Sequence, residues 1–171
     1  MPVQRLNHAV LYVRDVATST EFYRSVLGFT PVMQIPGKAV FLQAAGSTND
    51  HDLGLFHLGP QAGPSGAGRT TVGLYHLAWE VDTLAELRRL RDALQAAGAL
   101  AGASDHGTTK ALYARDPDGI EFEVSWLVPA DQLSDNEHEH PTIAPLDLDA
   151  EVARYGADRL GGVGVSHSVG V

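Results

Sequence analysis

A chain of 171 residues with 44% hydrophobic content can form one ordinary domain or two small fused modules, and no apolar run approaches a membrane span. A formal net charge of −9, with Lys and Arg scattered, excludes the basic stripe that a nucleic-acid partner requires. The absence of cysteine excludes disulfides, thiolate nucleophiles and zinc–sulfur sites, which leaves His and carboxylates as the strong metal ligands.

The N-terminus has no apolar core of a signal peptide, so a cytoplasmic, unprocessed chain is expected. Residues 5–14 read as a first strand, with Ala9, Leu11 and Val13 on one face and His8, Val10 and Tyr12 on the other. A helix follows. Thr18 and Glu21 have capping-box spacing, Phe22, Tyr23, Val26 and Leu27 form the apolar stripe, and Gly28 is a stop signal. Short strands are expected near 29–34, 38–45 and 52–58, separated by Pro36-Gly37 and by the polar run 46–50.

Residues 59–72 are rich in Gly, Pro and Ser and read as a linker, after which the order repeats. Residues 73–81 form a strand, with Tyr75, Leu77, Trp79 and Val81 facing one way and His76, Ala78 and Glu80 the other. Thr83 and Glu86 again have capping-box spacing, and Leu84, Leu87, Leu90 and Leu94 make a helical stripe that ends at Gly98. Strands near 100–104, 110–115 and 120–127 complete the second set. Between the last two lies Asp116-Pro117-Asp118-Gly119, a tight-turn sequence. Beyond it Phe122, Val124 and Trp126 alternate with Glu121, Glu123 and Ser125.

The expected fold is therefore α+β: two tandem βαβββ modules whose strands form a curved mixed β-sheet, with helices on the outer face. The modules cover 1–58 and 73–128, and 129–171 is a C-terminal tail. Within that tail, 130–145 reads as a polar, acidic, solvated segment carrying His138 and His140. Residues 145–156 read as a short capped helix that would pack on a neighbouring subunit, and the last residues as disordered.

His8 and His76 occupy equivalent positions, each opposite the apolar face that its helix must cover. Glu123 faces the same way on the last strand, whereas its counterpart in the first module is Gly54. The repeat is symmetric in its apolar residues and asymmetric in one carboxylate, which marks a site rather than a scaffold requirement. Two His and one carboxylate leave coordination positions open and suit Fe(II), alternatively Mn(II). His57 falls on the face opposite Gly54 and reads as structural.

The repeat, with His in each first strand and Glu after Asp-Pro-Asp-Gly, resembles the vicinal oxygen chelate superfamily over about residues 5–128. That superfamily includes glyoxalase I, extradiol dioxygenases, fosfomycin- and bleomycin-resistance proteins and methylmalonyl-CoA epimerase. The segment Asn49–Leu55 is similar to the extradiol segment whose His serves as acid–base catalyst, which implies that role for His51. Asp105-His106-Gly107 and Leu112–Gly119 resemble the stretches carrying the His and Tyr that flank the metal ligands in extradiol dioxygenases, which implies catalytic roles for His106 and Tyr113. A vacant position at Gly54 fits an extradiol enzyme, whereas glyoxalase I has a fourth protein ligand there.

The resemblance implies an Fe(II)-dependent extradiol dioxygenase of the small two-module type, cupped around His8, His76 and Glu123. Its partners would be a small aromatic diol and O₂, in a homodimer or higher homo-oligomer. The rivals within the superfamily are a metal-dependent lyase or isomerase and an aromatic-drug-binding resistance protein.

Overall fold

The computed structural model describes residues 2–3, 5–67, 70–134 and 142–162. His138, His140 and residues 163–171 lie outside the described residues. Among the described residues no helix is long and apolar enough to cross a membrane. The chain divides into two compact units. The first takes Met1–Gly66 together with Asp116–Ile120, and the second takes Ala67–Arg115 together with Glu121–Val171.

The first unit runs β1 (Ala9–Val13), α1 (Val16–Leu27), β2 (Thr30–Ile35), β3 (Ala39–Gln43) and β4 (Leu53–His57). Its sheet order is β1-β4-β3-β2, with β1 and β4 parallel and the other pairs antiparallel. Alternation decides the faces. Leu11 and Val13 are buried while Val10 and Tyr12 stay exposed, so β1 turns its aliphatic side to the helix.

Helix α1 is capped three residues before the Thr18 signal. Asp15 is its N-cap, and one carboxylate oxygen accepts from both the Thr18 backbone N–H and the Thr18 hydroxyl at 2.7 Å. A carboxylate facing the first free N–H groups is the stronger cap, so Thr18 becomes its donor instead. Glu21 is left to pair with Arg24 at 2.8 Å. Gly28 ends the helix in the left-handed conformation, with φ of 78°.

The first unit also takes in the Asp116–Ile120 turn. One Asp116 oxygen accepts the N–H groups of Asp118 and Ile120 at 2.9 Å, and the other accepts the buried Tyr23 hydroxyl at 3.2 Å. Arg14 pairs with Asp118 at 2.5 Å. Burial pushes the Asp116 carboxyl above its usual range, although the three hydrogen bonds act against that shift.

The second unit repeats the plan with β5 (Leu77–Glu80), α2 (Leu84–Ala96), β6 (Leu100–Asp105), β7 (Thr109–Arg115) and β8 (Glu121–Leu127), to which β9 (Ala144–Pro145) is added. Its order is β5-β8-β7-β6-β9, and β5 and β8 are the parallel pair. Thr83 caps α2 by accepting from Glu86 N–H at 3.2 Å. Leu84, Leu87, Leu90 and Leu94 are buried against the sheet, each contributing roughly 1.5–3 kcal/mol of apolar transfer. Phe122, Val124 and Trp126 of β8 are buried with them, as the alternation requires.

The C-terminal segment carries the short capped helix expected from the sequence, with Asp147 as its N-cap. Helix α3 (Leu148–Tyr155) packs on α2 of its own unit, with Leu148 buried and the Tyr155 ring 5.4 Å from that of Trp126. Strand β9 covers the edge of β6, and the Trp126 indole donates to the Arg159 carbonyl at 3.2 Å. These contacts follow from what the second unit would otherwise expose: an unpaired sheet edge and the rim of a tryptophan.

Candidate metal centre and its flanking residues

In the second unit the parallel β5–β8 register sets Ala78 beside Glu123, and the antiparallel β7–β8 register sets Tyr113 beside the same Glu123. His76 sits immediately before β5, half-buried, with Nε2 3.5 Å from Glu123 Oε2 and no hydrogen bond between them. Two donors that each lie about 2.1 Å from a shared ion can stand up to about 4.2 Å apart, so this separation is compatible with one cation between them. His76 Nδ1 is buried without a hydrogen-bond partner among the described residues, an orphan that a neutral histidine fully embedded in protein would avoid.

The Tyr113 hydroxyl lies 2.9 Å from His106 Nε2, and its ring centroid is 5.9 Å from that of His76. Burial, reinforced by the Glu123 carboxylate, pushes the Tyr113 phenol up from its ordinary value, so it stays protonated. Glu121, also on this strand, pairs with Arg115 at 3.1 Å and is not drawn into the cluster.

In the first unit His8 precedes β1 as His76 precedes β5. Its Nδ1 lies 2.7 Å from the Asn7 amide oxygen. An amide oxygen accepts, so Nδ1 carries the proton and Nε2 keeps the lone pair a metal needs. His51 lies against His8 with ring centroids 4.5 Å apart, and the Phe41 ring meets His51 edge-on at 5.1 Å.

Hydrogen bonds fasten the loop that holds His51. Asp52 accepts from Ala44 N–H, the Ser47 hydroxyl and the Asn49 amide, while that amide also donates to the Asn7 carbonyl at 2.8 Å. Asp50 lies 3.3 Å from His51 Nδ1. The polar run between β3 and β4 is thus a tied turn that holds His51 half-buried.

The β1–β4 register pairs Val10 with Gly54 just as β5–β8 pairs Ala78 with Glu123, so Gly54 and Glu123 are equivalent in the fold. Gly54 is buried and brings no side chain to that position.

The Glyoxalase/Bleomycin resistance protein/Dioxygenase superfamily profile matches residues 5–124. The chain belongs to that superfamily. Among curated relatives, a biphenyl-2,3-diol 1,2-dioxygenase of Rhodococcus globerulus is 33% identical over 142 residues, covering 78% of this chain and 70% of that protein. A glyoxalase/bleomycin resistance/dioxygenase domain from Frankia sp. has the same fold, with TM-score 0.61 and 22% identity over 81% of this chain and all of that one. A fosfomycin resistance protein of Listeria monocytogenes solved with Mn(II) aligns at TM-score 0.57 and 18% identity, covering 81% of this chain and 100% of its own.

The candidate residues fall into two groups. His8 and His51 meet in the first unit; His76, Glu123, Tyr113 and His106 meet in the second. Among the described residues no three His, Cys, Asp or Glu side chains stand close enough together to hold one ion. Sequence reasoning passed over Asn7, which orients His8, and Phe41, which braces His51. It also set Tyr75 on the helix-facing side of a strand. That strand begins only at Leu77, so Tyr75 escapes the alternation and lies, exposed, 4.7 Å from the His76 ring. Asn7, directly before the first candidate ligand, was the one signal within reach.

Proposed function

We propose that this chain is an extradiol dioxygenase that opens a catechol-type aromatic diol with O₂, using His8, His76 and Glu123 as metal ligands. The observation that carries the reading is the asymmetry of the repeat. Glu123 stands 3.5 Å from His76, whereas the equivalent register position in the first unit is the bare Gly54. A three-ligand set leaves positions open, and a fourth carboxylate would close one.

Fe(II), or Mn(II) with the same ligands, would supply adjacent positions for the diol and O₂ and would lower the pKa of the diol. The remaining work falls to side chains. His51, braced by Phe41 and His8 and with Asp50 near Nδ1, has Nε2 to take a proton from the diol and later return it. Tyr113, held protonated, and His106 beside it form a donor pair toward a substrate oxygen. The relative named for biphenyl-2,3-diol supports an aromatic diol as the substrate class.

The test is anaerobic Fe(II) reconstitution followed by air and a panel of catechols, read as O₂ uptake and the yellow absorbance of a ring-opened semialdehyde. Both signals, lost in His76→Ala, are expected. Stoichiometric metal without O₂ uptake on any catechol would favour a lyase or isomerase, and no metal binding at all would favour a drug-binding protein.

A further inference from the structure

We propose that Lys110 is a positioning residue for His106, through which helix α3 acts on the candidate site. Lys110 is 1% exposed, an unusual place for an ammonium group. It faces the helix side of β7, in register with Asp105 on β6 and Trp126 on β8. Its Nζ donates to Asp105 Oδ1 at 2.6 Å, lies 3.1 Å from Glu151 Oε2 in the first turn of α3, and stands 6.0 Å from the centre of the Tyr155 ring.

The same Asp105 oxygen accepts the Gly107 N–H at 2.8 Å, which gathers the turn around His106. Gly107 adopts φ of 76°, a conformation that closes the turn, and His106 N–H donates to the Thr109 carbonyl at 2.9 Å. The connection therefore runs from α3 through Glu151, Lys110 and Asp105 to the turn, and from there to the His106–Tyr113 contact on the opposite face of the sheet.

Stability alone does not account for this arrangement. Apolar side chains of similar volume often replace a buried ion cluster at no cost, and in some proteins such a cluster is kept because it fixes one geometry. Lys110 is the second residue of β7, and it takes its second carboxylate from beyond the βαβββ pattern.

This inference rests on the reading of His106 as a substrate-facing donor, and the first measurement is independent of turnover. Ring ¹⁵N–¹H spectra of histidine-labelled full-length protein, with His106 assigned by His106→Gln, report which ring nitrogen carries the proton. Wild type should show one fixed tautomer. Lys110→Met and Glu151→Gln, both folded by circular dichroism, should show the averaged pattern of an unheld imidazole. Leu94→Ala, an apolar loss on α2, should lower the melting temperature and leave the His106 ring fixed.

In the turnover assay Lys110→Met should lower kcat about tenfold, with a far smaller change in KM. A wild-type ring signature in folded Lys110→Met would overturn the proposal, as would an averaged ring in Leu94→Ala. If Lys110→Met does not fold, Glu151→Gln decides alone, since it keeps the Lys110–Asp105 pair and removes only the α3 arm; a fixed His106 there would again overturn the proposal. A changed ring in a protein with no O₂ uptake would uphold Lys110 and remove only the dioxygenase reading.

Discussion

Placing a carboxylate at position 54 tests the repeat asymmetry most directly. A Cβ built on Gly54 meets Val10 Cγ2 at 3.4 Å and Phe41 ring carbons at 3.6 Å, all ordinary contacts, and its backbone is not left-handed. Gly54→Ala should therefore fold normally and gain up to about 1 kcal/mol from the lost backbone freedom. Gly54→Glu puts a charge at a buried strand position. Without a cation it should cost about 2–4 kcal/mol, a fall of roughly 5–15 °C in melting temperature for a chain of this size. Mn(II) or Fe(II) at about a hundredfold excess over its Kd should return about 2.7 kcal/mol, more than it gives Gly54→Ala if the new carboxylate becomes a ligand. Melting curves with and without metal, alongside O₂ uptake, give the two readouts: the metal-dependent rescue should accompany loss of turnover, because an open position has been filled. A Gly54→Glu protein that the metal does not rescue, or one that turns over like wild type, would refute the equivalence with Glu123.

Glu123→Ala should lose stoichiometric metal in a metal assay while keeping its circular dichroism; retained metal would remove Glu123 from the ligand set. His51→Phe, beside Phe41, should keep the metal and lower kcat by about 10²–10⁴-fold, the range for a missing acid–base group, and unchanged turnover would exclude His51. Tyr113→Phe should lower kcat by about 10–100-fold. Since the wild-type phenol is held above its ordinary value of 10.0, no alkaline loss of activity below that pH should belong to Tyr113. Asp116 has a carboxyl raised by burial, so its contribution to stability is present below the unfolded pKa and fades as pH rises through the folded one. Chemical denaturation should therefore show Asp116→Asn becoming less destabilising, relative to wild type, from pH 4 to pH 7; the opposite slope would contradict the burial argument.

Most of each module was legible because its signals are local. Leu84, Leu87, Leu90 and Leu94 share a face by helical period alone, and Phe122, Val124 and Trp126 share one by strand alternation. Gly28 marks a stop by its tolerance of positive φ. The correspondence of Gly54 and Glu123, read from aligned repeats, agrees with the β1–β4 and β5–β8 registers. Where a local signal had a stronger local competitor, the reading slipped: Asp15 displaced Thr18 as the cap, and the late start of β5 freed Tyr75 from its expected face.

By itself, then, the sequence determined the repeated βαβββ order and the buried faces of its strands and helices. These depend on spacing along one strand or helix, and spacing is written in the chain. Only the tertiary structure decided that Lys110 is buried between Asp105 and Glu151, that α3 and β9 complete the second unit, and that Phe41 braces His51. Each of those outcomes needs partners brought together from distant parts of the chain. A lysine at the start of a strand carries no local mark of the carboxylate, 41 positions later, that it will meet.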